Sequence, residues 1–390
     1  MLLIFTVIFV ALVFTYINGF HDTANSIATV VSTKVLSPRQ AVLLAAVTNL
    51  VGAFFGTAVA STIASGIVET QVATMPVLCC ALIGAIVWNL LTWWVGLPSS
   101  SSHALVGGLC GAALAASDNR WSSIIWAVPG KDHWWQGKGI LWKVIVPMIS
   151  SPLIGFVVGL ILMGLLYALL RNWRPVAVNR TFGILQFFSA SYMGFAHGTN
   201  DAQKTMGVIT LALVVATKAG MLVSIPHWLS WLQTPEGTPA GYLSPVAWLI
   251  THLPARLQFG YTPHIDPKQQ FIPAWIVVMC GFIMCAGTAA GGWRIIRTLG
   301  HKMVKLQPVH GFAAEATGAT VLFTAAIFGM PVSTTHAITA SIMGVGCAKG
   351  FNALKLSVVE RIIWAWVLTL PASAGVAYVL VWLCRSCGWF

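Results

Sequence analysis

Two short patterns each occur twice in this chain, and each time they set charged or hydroxyl side chains inside sequence apolar enough for a bilayer. GFHDTAN at 19–25 pairs with GTNDAQK at 198–204, which aligns Gly19 with Gly198, Asp22 with Asp201 and Asn25 with Lys204. GLPSSSSH at 96–103 pairs with GMPVSTTH at 329–336. An acidic side chain at the centre of a membrane helix costs roughly 2.5–3.5 kcal/mol on insertion scales, so its presence points to a functional site. Two kinds of motif at corresponding places in two halves point further, to a transporter whose site lies where the halves meet.

Composition agrees with a polytopic membrane protein. Of the 390 residues 57% are hydrophobic and 8% are charged, which is outside the balance of a soluble domain. The formal net charge of +12 would elsewhere suggest a polyanion. Here Lys and Arg punctuate apolar spans, so they report orientation and no nucleic-acid partner is expected. The eight cysteines lie mostly in apolar segments, where thiols act as small hydrophobes. The CxxC spacing of Cys384 and Cys387 is a weak metal or redox signal. No GxxxxGK[ST] loop occurs, so energy is expected from a gradient or another subunit, with no cofactor and no resident metal. The first span lacks a basic n-region and a small-residue cleavage site, and reads as a retained helix.

Apolar runs at about 2–20, 40–65, 73–97, 143–170, 181–198, 205–217, 272–292, 312–330 and 362–384 read as spans or parts of spans, because about 20 residues cross the hydrocarbon core. The shorter runs 104–117 and 337–348 each follow a proline, Pro98 or Pro331, and a hydroxyl cluster. They predict half-helices starting near His103 and His336 in broken or re-entrant hairpins, since non-helical backbone at membrane depth needs protein or a cavity around it. The expected fold is an all-α polytopic membrane protein, an inverted-repeat secondary transporter with two such hairpins. Residues 1–170 form the first repeat (motif helix, plain span, hairpin, closing span), and 171–390 form the second. An extended outside loop at about 224–271, with an interfacial helix near 244–257, interrupts the second repeat. With the N-terminus outside, the loops at 34–39, 171–180, 294–305 and 349–361 fall inside and gather most of the basic residues. The two motif helices then run in opposite directions, and both termini lie outside.

Asp22 and Asp201 must be paired, ligate a cation or take up a proton if they are buried. The amides of Asn18, Asn25 and Asn200 beside them suit a hard cation, which plain helix capping does not require. Lys204 replaces Asn25 at one point of the alignment, and a fixed ammonium can stand in for a bound cation. The hydroxyls of Ser100, Ser101 and Ser102, and of Ser333, Thr334 and Thr335, precede the short helices. Helix N-termini offer free N–H groups and partial positive charge to an anion, so two of them would converge on one tetrahedral oxyanion. His103 and His336 would orient these turns or share protons. His21, His197, Asn49 and Gln203 are polar at the same depth and could instead satisfy neighbouring backbone. Glu315, in an apolar run, is a second-tier coupling candidate.

At these residues the chain resembles the inorganic phosphate transporter (PiT) family, in particular its bacterial proton-coupled low-affinity members. The resemblance runs through INGFHDTAN at 17–25, GLPSSSSH at 96–103, HGTNDAQK at 197–204, GWR at 292–294, GMPVSTTH at 329–336 and the stretch 366–371. It implies symport of inorganic phosphate, alone or as a neutral complex with a divalent metal ion, across the inner membrane of a bacterium. Protons drive this branch and sodium drives others. It further implies that Asp22, Asn25, Asp201, Gln203 and Lys204 bind substrate or coupling ion and that the hydroxyl turns cradle phosphate. Besides phosphate and the lipid bilayer, a second copy of the chain stands as a candidate partner. The alternatives are sodium-coupled phosphate transport, a sulfate permease, a divalent-metal carrier using His21, Asp22, His197 and Asp201, and an intramembrane Ser/His hydrolase.

Overall fold

A computed structural model describes residues 1–130, 137–222 and 272–388, with the single positions 229 and 232. Apart from those two positions, the expected loop at 224–271 and its interfacial helix lie outside the described residues.

The described residues form helices and no strands. In the first half these are α1 (Leu2–Ser32), α2 (Pro38–Ala53), α3 (Ala58–Gly66), α4 (Met75–Val95), α5 (Ser101–Ala116) and α6 (Val146–Leu170). In the second half they are α7 (Pro175–Lys218), α8 (Ala274–Ala290), α9 (Trp293–Arg297), α10 (Pro308–Ile327), α11 (Thr334–Ala348) and α12 (Leu356–Ser386). Both halves therefore run through the same series: a long motif helix, a bent pair, a long helix, a short helix and a closing helix.

One expectation needs correcting. The plain span in each half is a bent pair, with α2 and α3 meeting at 66° and α8 and the α9 segment at 57°. The bends fall where glycine takes a left-handed backbone, at Gly56 (φ 83°) and Gly291 (φ 73°), a conformation that side chains with a Cβ avoid. The two runs at 181–198 and 205–217 are one helix of 44 residues. Its only proline sits in the first turn, where the missing N–H is harmless. The polar motif between the runs finds partners on neighbouring helices, so it does not break the ladder.

Four helical segments, α1, α4, Leu141–Leu170 and α12, are long and apolar enough to cross a membrane, and each bent pair adds one more span if counted together. The closing helices turn large apolar side chains outward, among them Leu153 and Leu165 on α6 and Trp364 and Val367 on α12. Such a surface suits lipid and not water.

Packing crosses between the halves. The short helix α5 lies on the closing helix α12 of the other half, and α11 lies on α6; likewise α8 packs on α1, and α2 on α7. Glycines allow these close approaches. A Cβ at Gly111 of α5 would meet the Ala374 carbonyl of α12, and one at Gly344 of α11 would meet the Phe156 carbonyl of α6. The motif glycines do the same: a Cβ at Gly19 would lie 2.7 Å from the Met284 oxygen, and one at Gly198 would run into the Asn49 carbonyl. Helix propensity favours Ala over Gly by about 1 kcal/mol, whereas overpacking against backbone costs typically about 1–3 kcal/mol. Gly198→Ala is therefore expected to lower stability, read as a fall in the thermal unfolding midpoint in detergent. An unchanged or raised midpoint would show that α2 and α7 do not touch as described.

The GWR stretch has a structural role. Arg294 donates from Nη1 to the Trp94 carbonyl at 2.7 Å and lies 5.1 Å above the Trp93 ring, which ties α9 to the end of α4.

Candidate functional site

Each hairpin turns through a left-handed glycine, Gly96 (φ 74°) or Gly329 (φ 61°), followed two residues later by Pro98 or Pro331. Proline disfavours helix at the residue before it, so the chain stays extended until a serine restarts it. Ser100 caps α5, its hydroxyl accepting from the His103 amide at 3.2 Å, and Ser333 caps α11 by accepting from the His336 amide at 3.1 Å. First-turn amides such as those of Ser101, Ser102, Thr334 and Thr335 have no acceptor within their own helix.

The two turns meet. The Ser102 hydroxyl donates to the Val332 carbonyl of the opposite turn at 2.9 Å. The rings of His103 and His336 lie 4.7 Å apart, and Trp366 of α12 lies 4.0 Å from His336. No residue of 99–103 or 333–336 is more than 2% exposed.

The α1 motif faces the second turn. Asn25 donates from Nδ2 to the hydroxyls of Thr334 (3.2 Å) and Thr335 (2.9 Å), and Thr335 donates to Asp22 Oδ1 at 3.3 Å. His21 Nδ1 lies 2.9 Å from the same Oδ1, so it donates there, since an ionised carboxylate only accepts. The other ring nitrogen of His21 lies 3.1 Å from the Thr92 hydroxyl and 3.5 Å from that of Ser99. Asp22 Oδ2, the Ser101 hydroxyl, both amide atoms of Asn18 and the ring nitrogens of His103 and His336 are buried with no hydrogen-bond partner among the described residues.

The α7 motif carries the charges. Lys204 donates from Nζ to Asp201 Oδ1 at 2.6 Å, one helical turn away, and both side chains are fully buried. His197 Nε2 is 3.4 Å from Asp201 Oδ2. Its Nδ1 bonds Asn49 Oδ1 at 2.9 Å, and Asn49 passes on to the Thr288 hydroxyl at 3.0 Å, linking α7, α2 and α8. Asn200 reaches the Met330 carbonyl at 3.5 Å, while its own Oδ1 has no partner among the described residues. One ligand atom each from Asp22, His197 and Asp201 lie within 4.8 Å of one another. That is a spacing a cation could bridge, although Lys204 already sets a positive charge against it.

Two residues stand apart from this cluster. Gln203 is committed to backbone: its Oε1 accepts from the amides of Val59 (2.9 Å) and Ala60 (3.3 Å), capping the free N–H groups of α3, and its Nε2 donates to the Thr199 carbonyl at 2.7 Å. Its amide is thus used on both sides by backbone, whereas the expectation from the sequence set it among the substrate-binding residues. Glu315 forms a separate knot, accepting from Thr29 (2.5 Å), Gln186 (3.0 Å) and Ser189 (2.5 Å), which joins α10 to α1 and α7. Sequence reasoning missed Thr29, Thr92, Gln186, Ser189 and Thr288, and also Asn89, buried on α4 with neither amide atom partnered among the described residues. Asn89 was findable as a lone amide in an apolar run. The hydroxyls were not, because a Thr or Ser bonding its own helix looks the same in a sequence.

The chain matches the phosphate transporter family over residues 18–377. It is 41% identical over 366 residues to a probable low-affinity inorganic phosphate transporter of Rhizobium meliloti (strain 1021), covering 94% of this chain and 91% of that protein. A probable low-affinity inorganic phosphate transporter of Bacillus subtilis (strain 168) is 38% identical over 387 residues, covering 97% and 98%. A solved structure entitled "The sodium-dependent phosphate transporter" shares the fold, with a TM-score of 0.74 at 21% identity over 99% of each chain.

Proposed function

The chain belongs to the phosphate transporter family, and from that premise we propose that it works as a proton-coupled symporter of inorganic phosphate with alternating access between inverted halves. It is a multi-pass membrane protein and a transporter, not an enzyme. The reading places it in the inner membrane of a bacterium with both termini outside, and lets phosphate travel alone or with a divalent metal ion.

One observation carries the reading: the Ser102 contact to Val332 holds two half-helix N-termini together beside two buried carboxylates. Free first-turn amides and the positive ends of two helix dipoles favour an anion there. Phosphate would take the hydroxyls of Ser101, Thr334 and Thr335, the Asn25 amide and the charge of Lys204. A protonated phosphate oxygen could donate to Asp22 Oδ2, which lacks a partner among the described residues. Sulfate has no proton to offer near neutral pH, and a site built for a substrate hydroxyl rejects the analogue without one. Asp22 is also the carboxylate of the pair with no ammonium hydrogen-bonded to it among the described residues, and so the natural place for the coupling proton.

Uptake of labelled phosphate into proteoliposomes tests this. A proton gradient is expected to drive uptake, a sodium gradient is not, and excess sulfate should compete poorly. Hydrogen bonds to a charged group contribute about 1.5–3 kcal/mol each. Ser101→Ala combined with Thr334→Ala should therefore raise KM for phosphate at least about ten-fold. Uptake driven by sodium alone, or equal competition by sulfate, would refute the corresponding part of the proposal.

A further inference from the structure

We infer that residue 204 sets the number of mobile cations in the transport cycle: the Lys204 ammonium is a tethered counter-ion for Asp201, which leaves Asp22 as the one carboxylate of this cluster, among the described residues, open to a mobile ion. The inference rests on the symport reading and adds to it a residue that determines coupling.

The argument starts from broken symmetry. Asn25 and Lys204 hold equivalent places in the duplicated motif, yet they do different things. Asn25 bridges to Thr334 and Thr335 on the opposing half-helix. Their counterparts for Lys204 are Ser101 and Ser102, but Lys204 turns to Asp201 on its own helix at 2.6 Å. The Ser101 hydroxyl has no partner among the described residues, and Ser102 bonds Val332 instead. The cluster thus holds two carboxylates and one ammonium, none more than 2% exposed. Asp201 has its counter-charge built in. Asp22 has two donors on Oδ1 and, among the described residues, none on Oδ2.

Removing the ammonium should turn this tethered cation into a binding site for a free one. Lys204→Asn restores the residue of the first motif and leaves Asp201 without its counter-charge, which a buried carboxylate cannot well tolerate. The introduced carboxamide would join Asp201 and Asn200 Oδ1, which has no partner among the described residues, as oxygen ligands for a small hard cation.

The experiment compares purified wild type, Lys204→Arg and Lys204→Asn in sodium and in choline. In K204N, sodium should raise the thermal unfolding midpoint saturably, as for any ligand bound only by the folded state. It should also stimulate phosphate uptake roughly five-fold or more, the low end of typical coupling between two bound ligands. Wild type and K204R should be indifferent to sodium in both assays. Recovery of folded K204N only when it is purified in sodium counts for the inference, and Lys204→Gln, with a longer reach, is its second trial. Midpoints that ignore sodium in both neutral variants overturn the inference, as does failure to recover either variant in sodium, or a wild type that responds as K204N does. Should wild-type uptake ignore the proton gradient while K204N still gains sodium stabilisation, the symport reading fails and the assignment of Lys204 stands.

Discussion

Asp22→Asn is expected to abolish coupled phosphate uptake while leaving the fold in place. The substitution is nearly isosteric and keeps an oxygen to accept from His21 and Thr335, the two groups that now bond Oδ1. Little packing is lost, because Oδ2 has no hydrogen bond among the described residues to give up. What disappears is the carboxylate of the cluster with no ammonium bonded to it among the described residues, and with it the place for a proton and the acceptor for a protonated phosphate. Uptake should fall to the level of empty liposomes, with an unfolding midpoint within a few degrees of wild type. A variant that retained half the wild-type rate under a proton gradient would remove Asp22 from the mechanism.

Asp201→Asn should behave in the opposite way, failing first in stability. It strands the Lys204 ammonium, fully buried, without its carboxylate. Breaking one side of a buried ion pair costs about 3–5 kcal/mol, whereas removing both partners often costs far less. The double variant Asp201→Asn with Lys204→Met is therefore expected to be more stable than Asp201→Asn alone. Neighbouring substitutions that couple this strongly depart from additivity by about 0.5–3 kcal/mol. Unfolding midpoints of the wild type, the two single variants and the double variant measure the coupling. Additive effects would mean that Lys204 and Asp201 do not share a proton or a charge.

The places where the sequence was legible share one property: they break a local rule. Pro98, Pro331 and the hydroxyl runs cannot continue a helix, so they announced half-helices, and α5 and α11 start within two residues of His103 and His336. Asp22, Asp201 and Lys204 stood out because charge in an apolar run is costly. What stayed hidden obeys local rules. The bend at Gly56 lies inside the apolar run at 40–65, and a glycine after two phenylalanines gives no warning of a 66° turn. Gln203 sits inside the motif and reads as a ligand, yet its partners Val59 and Ala60 are more than a hundred residues away. Contacts at that separation leave no mark on periodicity. Glu315 was visible as a charge, but the three neutral donors around it were not.

The crossed packing of the short helices bears on biosynthesis. The seat of α5 is α12, which is synthesised more than two hundred residues after it, while α11 finds its own seat, α6, already in place. At roughly 5–20 residues per second, the first re-entrant segment waits on the order of tens of seconds for its support. During that wait its polar N-terminus has no finished cavity to face. A partly translated chain is thus a distinct species, open to chaperones and proteases of the membrane, and the arrival of α12 decides when that exposure ends.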